Sequence, residues 1–173
     1  MSLILVGMQG VGKTRYGQVL ADAMRCDFFD TDLWIEKTYA QRNGEQISYR
    51  EIYQRLGDKP FRQWERRAVV AAACSEKTII ATGGGVLLDL INRSILRNCG
   101  AMIYLHEPQD DFLKRQSTVK PSMMNGEEPY LNWLAYYGHR HFFYSRYSTI
   151  QVTLTDSSFQ KNMSALLKVA AID

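Results

Sequence analysis

Short apolar runs rich in β-branched residues alternate along the chain with stretches in which apolar positions recur at helical spacing. The runs are Leu3–Val6, Thr78–Ala81, Ala101–Leu105 and Ile150–Leu154, with Cys26–Phe29 as a shorter fifth candidate. Buried parallel strands read as near-continuous apolar runs, and they are joined by crossover helices. The alternation therefore predicts an α/β domain built on a parallel sheet, with five candidate strands.

Helical periodicity predicts seven helices around these strands. They are approximately Gly12–Met24, Leu33–Gln41, Pro60–Cys74, Asp89–Arg97, Pro108–Arg115, Pro129–Arg146 and Ser157–Ala170. Asn43–Gln46 and residues 116–128 are predicted surface loops, and in the second loop Pro121 and Asn125-Gly126 interrupt any periodicity. This second loop is long enough to form a mobile lid. No repeat or linker divides the sequence, so residues 1–173 are predicted to form a single domain.

Composition narrows the class of protein. The chain has 173 residues, 46% of them hydrophobic, and a formal net charge of +3 with basic and acidic residues interspersed. This balance favours a small anionic ligand over nucleic acid. The opening apolar run is too short for a signal peptide or a membrane span, and Cys26, Cys74 and Cys99 lack metal-binding spacing. We therefore expect a cytoplasmic protein, monomeric, with reduced cysteines and neither a membrane nor a nucleic-acid partner.

A phosphate-binding motif follows the first strand. Residues 7–14 read GMQGVGKT, which fits the pattern GxxxxGK[ST] between a strand and a helix. Such a loop points backbone N–H groups and a helix N-terminus at phosphate oxygens, while its lysine contacts the β and γ phosphates and its hydroxyl serves Mg²⁺. The alternative is a glycine-rich turn that only starts a helix. The predicted nucleotide-binding residues of this motif are Gly10, Val11, Gly12, Lys13 and Thr14.

Asp30-Thr31-Asp32 closes the second strand candidate. Ligands of open α/β sheets collect at the carboxyl ends of the strands. Two carboxylates two positions apart in an extended chain point in different directions, so one can serve Mg²⁺ while the other faces a substrate hydroxyl. The alternative is that Asp30 or Thr31 only caps the following helix.

Two further motifs lie downstream. Gly83-Gly84-Gly85 follows the strand Thr78–Ala81, where it lets a ligand approach the backbone, although a triple glycine is also a common flexible turn. Arg62 and Glu65 are one helical turn apart and can form an ion pair. The alternative for this pair is a solvated contact on the helix surface.

Together these motifs resemble the shikimate kinases, a family of P-loop enzymes similar to the nucleoside-monophosphate kinases. The resemblance covers nearly the whole chain, and the spacing between the Arg62/Glu65 pair and the triple glycine is its most specific part. It also includes Lys120-Pro121 and Arg140 with Tyr144. It implies a three-layer α/β/α fold with sheet order 2-3-1-4-5, a lid, and transfer of the ATP γ-phosphate to the 3-hydroxyl of shikimate.

The resemblance also implies roles for individual residues at the phosphate end. Lys13 and Lys120 would act on the transferring phosphoryl group. Thr14 and Asp30 would bind Mg²⁺, the aspartate through water. Arg115 is similar to the arginine that stacks on adenine in the family.

The resemblance likewise implies roles for the residues that would bind shikimate. Asp32 would bind the shikimate hydroxyls and position or deprotonate the attacking hydroxyl. Arg62 and Arg140 would hold the carboxylate, with Glu65 orienting Arg62. The ring would contact the triple glycine, namely Gly83, Gly84 and Gly85.

The sequence departs from the family pattern in its lid. Lys120 stands where the family carries an arginine before proline, and an ammonium is a point charge whereas a guanidinium can bridge two phosphate oxygens. No adenine-binding residue is recognisable near residues 156–158. Rival hypotheses are a gluconate-type kinase, a degenerate kinase fold that binds nucleotide and regulates a partner, and, more weakly, a nucleic-acid-dependent ATPase.

Overall fold

The computed structural model describes residues 1–118, 129–155 and 158–171. Five parallel strands form one sheet in the order β2-β3-β1-β4-β5. The strands are β1 Ser2–Gly7, β2 Asp27–Asp30, β3 Thr78–Ala81, β4 Gly100–His106 and β5 Ile150–Thr153. The three-layer α/β/α fold and the sheet order expected from the resemblance are confirmed.

Eight α-helices lie within the described ranges. They are α1 Lys13–Met24, α2 Thr31–Asn43, α3 Tyr49–Leu56, α4 Asp58–Ala73, α5 Leu90–Cys99, α6 Gln109–Thr118, α7 Pro129–Tyr147 and α8 Phe159–Ala170. Each of the seven predicted helices is present, with ends displaced by up to three residues. None of the helices in the described part of the chain is long and apolar enough to cross a membrane.

The sequence prediction missed one helix, and two of the displaced helix ends bear on the candidate site. It missed α3, although Ser48 and Glu51 form a capping box at its start, which is a recognisable signal for a helix N-terminus. Helix α2 begins at Thr31, two residues before the predicted start, because the Asp30 side chain caps it. Helix α6 continues to Thr118, so residues 116–118 are helical and do not belong to the predicted lid loop.

The burial pattern fits the central place of β1 in the sheet. All six residues of β1 are buried, since the strand lies between β3 and β4 with helices on both faces. Most of the hydrophobic core surrounds this central strand. A second apolar cluster lies apart from it and joins α2, α3 and α4 through Ile35, Tyr39, Ile52, Phe61 and Ala68.

The strand order places the predicted motifs side by side. The register pairs Leu5 of β1 with Ala81 of β3, and Ala81 with Asp30 of β2. The segments that follow these three strands therefore emerge together at the carboxyl edge of the sheet. These segments are the phosphate loop, the start of α2 and the triple glycine.

Candidate active site

The phosphate loop turns sharply between β1 and α1. Gly10 and Gly12 have φ angles of 79° and 97°, a left-handed conformation that side chains disfavour. The Lys13 ammonium folds back along the loop and donates to the carbonyl oxygens of Gly7 at 2.9 Å and Met8 at 2.8 Å. Burial lowers the pKa of Lys13 to about 8, against the opposing influence of the Asp32 carboxylate. The loop thus holds one buried cation beside its backbone N–H groups.

Val11 takes part in the same turn. Its side chain is buried, and its backbone N–H donates to the Met8 carbonyl at 3.3 Å. The bulk of Val11 therefore packs into the core while its backbone shapes the loop.

Thr14 and Asp30 face each other across the loop. The Thr14 hydroxyl donates to Asp30 Oδ2 at 2.7 Å. A hydroxyl and a carboxylate are the hard oxygen ligands that Mg²⁺ prefers, and both line the cleft that contains Lys13. The chemistry of the pair fits a magnesium ion, and the predicted magnesium site stays a prediction.

Asp32 lies in the first turn of α2 and not in extended chain, so the alternation argument used to separate the two carboxylates was wrong. The helix still separates them, because Asp30 caps α2 while Asp32 points toward Gly83. Burial raises the pKa of the Asp32 carboxyl to about 7, the negative charge of Asp30 adds to the rise, and Lys13 opposes it. A carboxylate with a pKa near neutrality suits a proton acceptor.

A second cleft adjoins the phosphate cleft and carries the arginines. Its charged lining residues are Asp32, Arg62, Glu65 and Arg140. Arg62 forms ion pairs with Glu65 and with Asp58, the latter at 2.9 Å. Burial raises the pKa of the Glu65 carboxyl, and the Arg62 charge opposes this. The Arg62–Glu65 pair is therefore part of the cleft wall, and the alternative of a solvated surface pair does not hold.

Helix α7 brings the second guanidinium. Arg140 and Tyr144 both donate to the carbonyl oxygen of Gly84. The Arg140 guanidinium also lies over the Tyr136 ring, 4.1 Å from its centroid. Two cations from α4 and α7 thus converge on one cleft, an arrangement suited to a planar carboxylate.

The triple glycine provides space, not unusual backbone angles, since its residues are absent from the positive-φ glycines. A Cβ on Gly83 would lie 2.7 Å from Asp32 Oδ1, and a Cβ on Gly84 would lie 3.2 Å from the backbone nitrogen of Gln9. A Cβ on Gly85 would lie 2.5 Å from Arg62 Nη1. Asp32 and Arg62 thus lie close to these glycines, and all three glycines line the cleft that carries the arginines, so their predicted contact with the ligand ring stays a prediction.

Arg115 reaches the phosphate loop from α6. It donates to Glu107 at 2.6 Å and 2.8 Å, and to the Gln9 carbonyl oxygen at 2.9 Å. This position beside the loop is compatible with the predicted contact to adenine. Lys120 lies outside the described residues, so its predicted role stays a prediction from the sequence.

Sequence reasoning missed several residues that line the two clefts, among them a glutamine and two tyrosines that contact neighbouring site residues. Gln9, Tyr49 and Tyr136 line the second cleft, and Gln9 and Tyr49 line the phosphate cleft as well. Gln9 Nε2 donates to the Tyr49 hydroxyl at 2.7 Å. Only the capping box before Tyr49 gave a local signal, because these contacts join segments far apart in the chain.

Comparison with known proteins decides the family. A family model described as shikimate kinase matches residues 9–171. The chain belongs to the shikimate kinase family. A shikimate kinase from Alkaliphilus oremlandii is 31% identical over 163 residues, which cover 92% of this chain and 93% of the relative. The family assignment carries with it the use of ATP as phosphoryl donor.

Solved structures agree on the fold. A shikimate kinase from Acinetobacter baumannii in complex with shikimate superposes with a TM-score of 0.84 at 23% identity, covering 99% of this chain and 93% of that chain. A gluconokinase from Sinorhizobium meliloti superposes with a TM-score of 0.58 at 16% identity, covering 99% of this chain and 94% of that chain. The gluconokinase therefore shares the fold, while the sequence matches place this chain among the shikimate kinases.

Proposed function

We propose that this member of the shikimate kinase family transfers the γ-phosphoryl group of MgATP to the 3-hydroxyl of shikimate. The observation that supports this proposal most directly is the position of Asp32. This residue lines both the phosphate cleft and the cleft that carries the two arginines. An acid held by the arginines presents its hydroxyl at the same carboxylate that borders the phosphate loop. The phosphoryl donor and the acceptor hydroxyl are thereby brought together. Such positioning is a main contribution of a protein to phosphoryl transfer.

Each residue has a chemical part in this proposal. Asp32 accepts the proton of the attacking hydroxyl, helped by its raised pKa. Lys13 offers positive charge to the β and γ phosphates from a buried position, where water does not replace it. Mg²⁺ held by Thr14 and Asp30 would supply further charge on the phosphate oxygens.

Arg62 and Arg140 bind the carboxylate of the acid. Glu65 holds Arg62 in place, and the Tyr136 ring supports the Arg140 guanidinium. Two further roles in the proposal are predicted from the sequence. Arg115 contacts adenine, and Lys120 contacts the transferring phosphoryl group.

A coupled assay of ADP release tests it. The purified enzyme is incubated with MgATP and either shikimate, gluconate or no acceptor. We expect rapid ADP release with shikimate only. Release with gluconate alone would favour the gluconate-type hypothesis, and nucleotide binding without acceptor-dependent release would favour the degenerate regulator.

A further inference from the structure

Tyr49 stands where the two clefts meet. We call the second cleft, which carries Arg62 and Arg140, the acid cleft. The phosphate cleft and the acid cleft have four residues in common, namely Gln9, Asp32, Tyr49 and Gly84. Tyr49 is the first residue of α3, and its ring packs half-buried against the second apolar cluster. Its phenol group therefore lies beside the place where donor and acceptor must meet.

The backbone of Tyr49 is fixed at that place. Its N–H donates to Glu36 Oε1 at 2.9 Å, which ties the start of α3 to α2. The preceding residue, Ser48, forms a capping box with Glu51. Two helices thus hold the residue before any ligand arrives, as a preorganised site requires.

The hydroxyl is held as an acceptor from two sides. Gln9 Nε2 donates to it at 2.7 Å and Arg50 Nε donates to it at 3.2 Å. A phenolic oxygen also carries one proton of its own. Within the part of the chain that the structure describes, the Tyr49 hydroxyl is donor in none of the side-chain hydrogen bonds found. Its proton is thus available to the cleft.

We propose that Tyr49 is a further catalytic residue, whose hydroxyl donates a hydrogen bond to an anionic oxygen at the junction of the two clefts. The proposal rests on the function proposed above. The oxygen belongs either to the transferring phosphoryl group or to the bound acid. Both offer the same chemistry, a negatively charged acceptor for an O–H donor.

Tyr49→Phe tests the donor, with Tyr39→Phe as the matched control. Tyr39 lies on α2 in the same apolar cluster and lines neither cleft. We expect Tyr49→Phe to lower kcat/KM for shikimate by about 10-fold to 100-fold, the range of a charge-assisted hydrogen bond. Tyr39→Phe should leave kcat/KM unchanged. Equal values for the two variants and the wild type would overturn the proposal.

Binding measurements identify the oxygen. Isothermal titration gives the affinity of the Tyr49→Phe variant for shikimate without nucleotide and for a non-hydrolysable ATP analogue without shikimate. Weaker shikimate binding assigns the acceptor to the acid. A loss confined to kcat, with both affinities kept, assigns it to the transferring phosphoryl group.

Gln9→Met separates this role from a purely structural one. If the hydroxyl served only to tie the phosphate loop to α3, Gln9→Met and Tyr49→Phe would lose the same activity, and the double variant would lose no more. That result would overturn the proposal. We expect the Tyr49 variant to lose more than the Gln9 variant, since only the former removes a contact to the ligand. ADP release by the wild type with shikimate is measured separately. If the wild type releases no ADP, the proposed function fails, whereas an active wild type with an unaffected Tyr49→Phe variant contradicts only the role of Tyr49.

Discussion

One oxygen of the Asp30 carboxylate accepts a hydrogen bond from the Thr14 hydroxyl, and the other oxygen caps helix α2. Thr14 Oγ1 lies 2.7 Å from Asp30 Oδ2, while Asp30 Oδ1 accepts from the backbone N–H groups of Asp32 at 2.9 Å and Leu33 at 3.1 Å. From the sequence, capping and metal binding stood as alternatives for this residue. The geometry makes them compatible, because each role uses a different oxygen.

Asp30→Asn and Asp30→Ala separate the two roles. Asparagine caps a helix as well as aspartate does, so Asp30→Asn should keep the melting temperature close to that of the wild type while requiring more Mg²⁺ for half-maximal activity. Asp30→Ala should show the same magnesium defect and lose about 1 kcal/mol of stability with its cap. Magnesium titrations of kcat and thermal unfolding measure both. An asparagine variant with the wild-type magnesium response would leave Asp30 as a cap only.

Gly83→Ala should damage the site by displacing Asp32. The added Cβ would lie 2.7 Å from Asp32 Oδ1 and 3.3 Å from Glu65 Oε1, while the backbone conformation itself allows alanine. We expect kcat/KM to fall by more than about 10-fold, as misplacement of a catalytic group commonly causes. Gly138→Ala is the control, because its Cβ would meet nothing within 4 Å, and within α7 it should raise stability by up to about 1 kcal/mol. Full activity of Gly83→Ala would show that Asp32 can move without loss.

The sequence predicted those parts of the site that are local in the chain. The phosphate loop, the Arg62–Glu65 pair and the order of strands and helices follow from short patterns and from the resemblance. The partners of Gly83 and Tyr49 do not, because their contacts join segments that only the folded sheet brings together. Asp32 lies at the junction of the two clefts, but its helical position follows from the Asp30 cap, which the sequence offered only as an alternative to metal binding.

The pH profile of kcat/KM for shikimate should have two limbs. Burial raises the pKa of Asp32 to about 7 and lowers the pKa of Lys13 to about 8. Asp32 accepts a proton only when ionised, so activity should fall as the pH drops below the first value. Lys13 offers its charge only when protonated, so activity should fall as the pH rises above the second.

Assays across about pH 5 to pH 10 measure the two limbs. The residual activity of Asp32→Asn should lack the acid limb, since the amide does not titrate. An acid limb that persists unchanged in this variant would belong to another group.

Arg62→Ala and Arg140→Ala should weaken shikimate binding and leave binding of an ATP analogue unchanged. Each guanidinium lines the acid cleft, and a charge-assisted hydrogen bond there contributes about 1.5–3 kcal/mol, or roughly 10-fold to 100-fold in Kd. Arg66→Ala is the matched control, because Arg66 lies one turn further along α4, pairs with Asp89 at 2.7 Å and is absent from the cleft. Its affinity for shikimate should equal that of the wild type.

Shikimate methyl ester tests the same clamp from the side of the ligand. The ester keeps the ring and its hydroxyls but lacks the negative charge that two guanidiniums recognise. Isothermal titration should show that the wild type binds the ester much more weakly than the acid, whereas Arg62→Ala should discriminate less between them. If the wild type bound ester and acid equally, the arginines would serve the hydroxyls or the phosphoryl group, and the carboxylate would have to be held elsewhere.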